Sequence, residues 1–413
     1  MQTQIESADA LYIARQPILC GAGKVFGYEL LYRAAEGDTT CTDPGDPAAA
    51  RALTHALLSL GLERLTEGRP AFLNLTRALL LSDACTLIAP ASAVFEIRED
   101  VEVDGTVIEA CRRLHATGYS LALDDFTPRS AAEALIPYAK FVKVDVLATS
   151  PRQRTALAKR LLPLGLRLIA EKVETPQVVR QTTTAGYGLF QGFFFCRPTT
   201  MSARALPSRK LAYMQLLSAL SDPNLGLTDL EDLVKHDASL TMRVLRCVNS
   251  AAFGMHREVT SLREALVMIG TDTIAKWATV WAMAGLNSGP SEVVTLAILR
   301  ARCCELMGDR LTSGCGADLF LLGLCSLLET MLGVPMIAAL EELPLSAEIR
   351  TALLGSPGTE RSVLDAVIAY ERGDWDEAES ITDILGLPPS LLPTAYAGAL
   401  RWASDLSRPS VAA

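Results

Sequence analysis

The chain has 413 residues, half of them hydrophobic, and a formal net charge of −9. That length accommodates two or three domains with sizeable cores, and an acidic balance without a long basic run excludes a general role on a nucleic-acid polymer. The longest apolar run, Leu319 to Leu328, is broken by Glu329 and Pro335 and is too short for a bilayer, so no membrane insertion is expected. No basic, apolar leader opens the sequence, which argues against secretion and for a cytoplasmic protein. Ten cysteines without a C-x-x-C spacing read as buried free thiols, the vicinal Cys303–Cys304 pair included. The four histidines, His55, His115, His236 and His256, are not clustered, which excludes a His-rich metal site.

In chain order, apolar runs predict strands near 11–16, 25–31, 71–75, 93–97, 119–124, 141–145, 167–171 and 188–192. Amphipathic patterns between them predict helices, among them Thr106–Leu114, Thr155–Leu162 and Pro176–Thr184. Eight strands alternating with helices predict a (β/α)8 barrel over 1–200. The short turn Gly21–Gly23 cannot carry a parallel crossover, so the first two strands are expected to be antiparallel. After Pro198 the strand pattern stops, and 206–407 reads as an all-α domain, joined to the barrel near Thr199–Pro207. Thr228–Glu231 and Ser261–Glu264 read as capping boxes, Gly270 as a helix end, and Pro388–Pro389 as the break before the last helix.

Polar residues stand at the ends of the apolar runs, in the words QPIL (16–19), ELLYR (29–33), NLT (74–76), EIRE (96–99), DDF (124–126), KVD (143–145), EKVE (171–174) and QGF (191–193). The C-terminal ends of barrel strands converge on one mouth. Glu29, Asn74, Glu96, Asp124 and Asp125 would form a ring of oxygen donors there, suited to Mg²⁺ or Mn²⁺ and not to zinc. Singly, Asn74 reads as a turn residue and Asp145 or Glu174 as a cap or solvated group. The Asp124–Asp125 pair is different, because adjacent carboxylates repel without a cation. Arg98 shares a face with Glu96 if the strand continues, and is a loop residue if it ends at Ile97.

These words, in this order, resemble the EAL family of cyclic di-GMP phosphodiesterases and receptors, with Leu30 in place of the signature alanine. The resemblance implies a first cation on Glu29, Asn74, Glu96 and Asp124, and a second on Asp124 and Asp125. It implies Lys143 as the residue orienting the attacking water and Glu171 as general base. Gln16 and Arg33 would hold the nucleotide, Gln191 would position water or substrate, and Glu99 would brace the loop after its strand. DDF is followed by TPRSAAEAL, where the family has a Gly- and Ser-rich loop that supports the second cation and a dimer contact. Here Thr127 reads as an N-cap and Pro128 as a first helical position, so the segment 126–131 is short. The second cation, and a homodimer, are therefore open.

The segments 236–254 and 259–270 resemble the HDOD domain, an all-helical relative of HD phosphohydrolases. His236–Asp237 reads as a helix end and not as a metal doublet. Where that doublet would be expected stand Cys325, Ser326 and Leu327, so no metal is expected there. The helical half is then an interaction module for an unnamed protein partner. Trp277, Trp281, Met268, Met283 and Leu286 read as core. Two functions stay open at this point: a Mg²⁺- or Mn²⁺-dependent phosphodiesterase forming pGpG, and a non-hydrolysing cyclic di-GMP receptor. A scaffold whose barrel binds nothing is the third, which the polar ring disfavours.

Overall fold

The computed structural model describes residues 11–21, 23–34, 61–82, 85, 88–128, 130–196, 217, 220, 226–235, 238–249, 259, 261–287, 291–311, 316–341, 343 and 345–407. Eight strands close into a barrel in sequence order: β1 (Leu11–Cys20), β2 (Val25–Ala34), β3 (Ala71–Leu75), β4 (Ala93–Ile97), β5 (Ser120–Leu123), β6 (Phe141–Asp145), β7 (Arg167–Glu171) and β8 (Leu189–Gln191). β1 is antiparallel to both its neighbours and the remaining pairs are parallel. The β1–β2 hairpin is longer than its apolar pattern suggested, reaching Ala34 opposite Leu11.

Period-two alternation sorts each strand into an inward and an outward set. One inward residue per strand from Ile18, Phe72, Val94, Ala122, Phe141, Ile169 and Leu189 forms a single buried layer across the barrel. Phe72 and Phe141 meet edge to face, with centroids 5.4 Å apart. β2 places Gly27 at this level, where a Cβ would come within 3.1 Å of the Phe72 ring. Each of its Val, Leu, Ile and Phe side chains stabilises the barrel by about 1.5–3 kcal/mol. This floor seals the barrel below the mouth.

The connecting helices of the barrel are α1 (Leu62–Thr66), α2 (Arg77–Leu81), α3 (Gly105–Ala116), α4 (Pro151–Leu161) and α5 (Pro176–Ala185). Side-chain caps fix the starts of the last three: Asp104 accepts from the Thr106 and Val107 N–H groups, Ser150 and Gln153 form a capping box, and Thr175 accepts from Val178 N–H.

The expected helix start at Thr127 and Pro128 is not found. Those residues form a turn in which Ser130 N–H donates to Thr127 O (3.3 Å), and a 3₁₀ helix begins only at Ala131 and runs to Tyr138. Pro137 lies inside that helix and has no N–H to give an α-helical ladder. A 3₁₀ helix also gains about 2.0 Å per residue, more than an α-helix.

The helices that follow are α6 (Leu227–Lys235), α7 (Ala238–Val248), α8 (Leu262–Ile269), α9 (Thr271–Leu286), α10 (Ser291–Leu311), α11 (Gly316–Cys325), α12 (Leu328–Leu332), α13 (Met336–Glu341), α14 (Ala347–Leu353), α15 (Thr359–Arg372), α16 (Trp375–Ile384) and α17 (Leu391–Ser407). The chain divides into two compact units. The first joins the barrel, 1–197, to Ile368–Asp383 and Pro388–Ala397; the second is 198–367 with Ile384–Leu387 and 398–413. The expected junction at 199–207 lies outside the described residues, as do His236 and Asp237.

In the second unit, the expected capping box at Thr228 is not formed. α6 starts two residues before the place such a box would set, at Leu227, and the Asp229 carboxylate accepts from Gly226 N–H (3.2 Å). Glu231 is instead drawn to Lys235 (2.5 Å) and Arg263 (3.2 Å). Ser261 does cap α8, accepting from Glu264 N–H, and Gly270 ends it. Trp277, Trp281 and Leu286 are buried, whereas Met268 is 52% exposed. α10 and α11 cross closely at Gly323, where a Cβ would stand 2.4 Å from Arg300 O. Ser326 accepts from the Arg300 guanidinium (3.2 Å) in the place where a His-Asp doublet would be expected. Among the described residues, no helix is long and apolar enough to cross a membrane.

Candidate active site at the barrel mouth

The mouth sits one layer above the floor. Two residues beyond Phe72, Val94, Ala122, Phe141, Ile169 and Leu189 stand Asn74, Glu96, Asp124, Lys143, Glu171 and Gln191. Glu29 stands two beyond Gly27, and Gln16, on the reversed strand, two before Ile18. The same alternation that points the apolar layer inward therefore points this polar layer inward too.

Lys143 is the centre of the arrangement. Its Nζ lies 3.1 Å from Glu29 Oε2, 3.0 Å from Glu96 Oε1, 3.2 Å from Asp124 Oδ1 and 2.8 Å from Glu171 Oε1. Four carboxylates from four strands thus share one buried ammonium, an excess of three negative charges if all are ionised. Asn74 Nδ2 donates to Glu29 Oε1 (2.8 Å), and Gln191 Nε2 donates to Glu29 Oε2 (2.5 Å) and Gln16 Oε1 (3.1 Å).

The charge excess separates the acids. Burial acts to raise the Glu29 carboxyl, but Lys143 and the Gln191 and Asn74 amides outweigh it and hold it at about 2. Burial pushes Glu171 up to about 8, with Asp124 and Glu29 adding to the shift against the pull of Lys143. Glu96 is raised well above the ordinary range by burial and the neighbouring Glu29. Lys143 is raised despite its burial, because all four carboxylates favour the ammonium.

Asp125 is brought to the rim and not into the ring. It has a left-handed backbone (φ 39°), and its nearest cation is Lys172 at 3.7 Å, which pairs more closely with Asp145 (2.7 Å). Burial and Asp124 raise its carboxyl. Lys172 is also left-handed (φ 53°), a conformation costing about 1–3 kcal/mol that clusters at working sites. Asp145 caps its own turn, accepting from Leu147 N–H (2.6 Å) and Ala148 N–H (3.1 Å). Glu99 is exposed and acts on Asp125 through its charge. Arg98 lies beyond the end of β4 and pairs with Asp100 (2.9 Å). Arg33 lies on β2, but its side chain is outside the described residues.

The donor set fits a hard divalent cation. Both Glu96 carboxylate oxygens are buried without a hydrogen bond, although Oε1 lies 3.0 Å from Lys143. The charge excess and the all-oxygen chemistry point the same way. Among the described residues no three acidic, histidine or cysteine groups are already closed on a common point, and the Lys143 ammonium lies between the carboxylates.

A family model for the EAL domain matches residues 1–198, and one for the HDOD domain matches 206–342. The protein YuxH of Bacillus subtilis is 31% identical over 405 residues, 96% of this chain and 98% of that protein. The chain is an EAL–HDOD protein. The cyclic di-GMP phosphodiesterase CdgJ of Vibrio cholerae is 30% identical over 402 residues, 96% of this chain and 93% of that one. Among solved structures, a Klebsiella pneumoniae BlrP1 manganese/cy-diGMP complex has 22% identity and a TM-score of 0.38, covering 46% of this EAL–HDOD chain and 56% of the other. The Bacillus subtilis YkuI protein in complex with c-di-GMP and calcium has 19% identity and a TM-score of 0.37, over 58% and 68% of the two chains.

Reading the sequence identified Lys143 but not that it would be the shared counter-ion of four acids. It also missed the Lys172 bridge at the rim of the EAL barrel. EKVE holds the only signal for that bridge, a lysine directly after the strand-end glutamate.

Proposed function

We propose that the EAL barrel hydrolyses cyclic di-GMP to linear pGpG in a divalent-metal-dependent reaction, with the HDOD domain as a non-catalytic module for a protein partner. The observation that carries this reading is the convergence of Glu29, Glu96, Asp124 and Glu171 on Lys143 within 3.2 Å, directly above an apolar floor. Membership of the EAL family and the phosphodiesterase name of the Vibrio relative support it.

Glu29, Asn74, Glu96 and Asp124 would hold a Mg²⁺ or Mn²⁺ ion, with Asp125 available to a second. When bound, such an ion supplies positive charge at the phosphoryl oxygens and acidifies the attacking water. Glu171 takes the proton from that water as the water oxygen bonds to phosphorus and the phosphorus–3′-oxygen bond breaks, its electron pair staying on the 3′-oxygen, which takes a proton from solvent to become the 3′-hydroxyl of linear pGpG. Burial favours the protonated Glu171 carboxyl in the metal-free site, and a bound cation would favour the ionised form that accepts the proton. Lys143, 2.8 Å from Glu171, holds the base in place and stabilises it once ionised. Gln191 links Gln16 to Glu29, so the residue facing the ligand is oriented by the same network. Gln16, Gln191 and Arg33 bind the nucleotide, and Glu99 acts at the loop bearing Asp125.

The test is incubation of the purified chain with cyclic di-GMP and Mg²⁺ or Mn²⁺, read by chromatography, with calorimetry alongside. Linear pGpG is expected, formed faster with Mn²⁺ because Mg²⁺ demands near-ideal octahedral geometry. Glu171→Ala should abolish turnover and keep binding. Binding without product would make the barrel a receptor, the reading that the position of Asp125 at the rim, outside the ring, favours. Neither binding nor product would sink both.

A further inference from the structure

β1 runs past its neighbour. β8 pairs only with Ile18–Cys20, and among the described residues no strand pairs with the first half of β1 on that side. The end of α15 fills the place: Tyr370 OH accepts from Ile13 N–H (3.0 Å), and Gln16 Nε2 donates to Arg372 O (3.0 Å). Gly373 follows with φ 79°, and a Cβ there would stand 2.8 Å from Leu31 Cδ1, so the helix end lies directly against β2. These residues belong to the compact unit of the barrel, yet they lie beyond both family matches, which stop at 198 and 342.

We propose that Arg372 is a nucleotide-binding residue of this mouth, its guanidinium taking a phosphate of the cyclic dinucleotide. The inference rests on the cyclic di-GMP reading above and adds a residue that no motif of the barrel supplies. The backbone oxygen of Arg372 holds Gln16, and its guanidinium carbon lies 5.5 Å from the ring centroid of Phe193, two residues after Gln191. Both partners belong to the mouth, and the Arg372 side chain is exposed there.

Charge points to the ligand. The ring holds an excess of carboxylates, so an anionic ligand needs cations at the rim as well as within. Lys172 is engaged by Asp145, Arg98 by Asp100 and Arg15 by Glu67. Among the described residues Arg372 forms no ion pair. A guanidinium against an aromatic face keeps its N–H edge free for two parallel bonds to a phosphate.

The test is calorimetry of the full chain with cyclic di-GMP and Mg²⁺, in a Glu171→Ala background that prevents turnover. Arg372→Ala should weaken binding by about tenfold or more, flatten its salt dependence and leave the melting temperature unchanged. Arg372→Lys should recover part of the affinity, because a point charge lacks the fork. An Arg372→Ala chain that binds within about twofold of its parent, while Glu29→Ala loses binding, overturns the proposal alone. Failure of the parent to bind overturns it together with the reading beneath it. If Arg372→Ala lowers stability as well, Arg372→Lys decides: stability restored without full affinity supports a phosphate contact. Both fully restored would reduce Arg372 to a charge at a helix end and overturn it.

Discussion

Replacing Lys143 by methionine removes the ammonium that, among the described residues, four acids share, and keeps most of the side chain's volume. The lysine is buried and each acid lies within 3.2 Å of it. Taking away one partner of a buried ion pair costs about 3–5 kcal/mol. For a unit of roughly 150–250 residues each kcal/mol moves Tm by about 2–4 °C, so the loss should be roughly 6–20 °C. Its pH dependence has a definite sign. Without the ammonium nothing opposes the burial that raises Glu96 and Glu171 above their unfolded values, so the folded state binds more protons and loses stability as pH rises. The deficit should therefore be larger at about pH 8 than at about pH 5.5. Mn²⁺ should return part of it, since a divalent ion replaces the missing charge. Differential scanning fluorimetry of both chains at the two pH values, with and without Mn²⁺, reads all of this. A variant that melts like the parent at the higher pH without metal, or a deficit that shrinks as pH rises, would refute the assignment of Lys143 as the shared counter-ion.

Metal loading at neutral pH should release protons, because Glu171 and Glu96 carry raised pKa values and a cation selects their ionised forms. Calorimetry of Mn²⁺ binding in buffers of different ionisation enthalpy measures this, and a buffer-independent enthalpy would contradict it. Gly192→Ala places a Cβ about 2.3 Å from Val173 O at φ 131°, so the β7 and β8 ends must part. A loss of about 2 kcal/mol or more in urea unfolding is expected, together with weaker nucleotide binding as Gln191 shifts. Tyr370→Phe keeps the ring against Trp375 and Tyr396 but strands the Ile13 N–H. About 1–3 kcal/mol should be lost, and an unchanged denaturant midpoint would show that this bond is dispensable.

The barrel was legible because its strands end in polar words that repeat the same geometry: an inward apolar residue, then an inward polar one two positions on. β3, β4, β6 and β7 have the bounds that their patterns predict. The failures are local choices with two good answers. Thr127-Pro128 satisfies the rules for a helix start, yet Ser130 N–H closes a turn on Thr127 O there and a 3₁₀ helix starts only at Ala131. Thr228 and Glu231 have capping-box spacing, yet Glu231 finds two cations and Asp229 serves Gly226 instead. The Arg372–Gln16 contact had no local signal, because its partners are 356 positions apart.

The bond between Ile13 and Tyr370 joins residues 357 positions apart. At roughly 5–20 residues per second, translation delivers Tyr370 on the order of tens of seconds after Ile13. Throughout that interval the outer edge of the first strand lacks this acceptor, and an uncovered strand edge is a template for pairing with other chains. β8 is made long before Tyr370, so the end of α15 covers an edge of the first-made strand only late in synthesis.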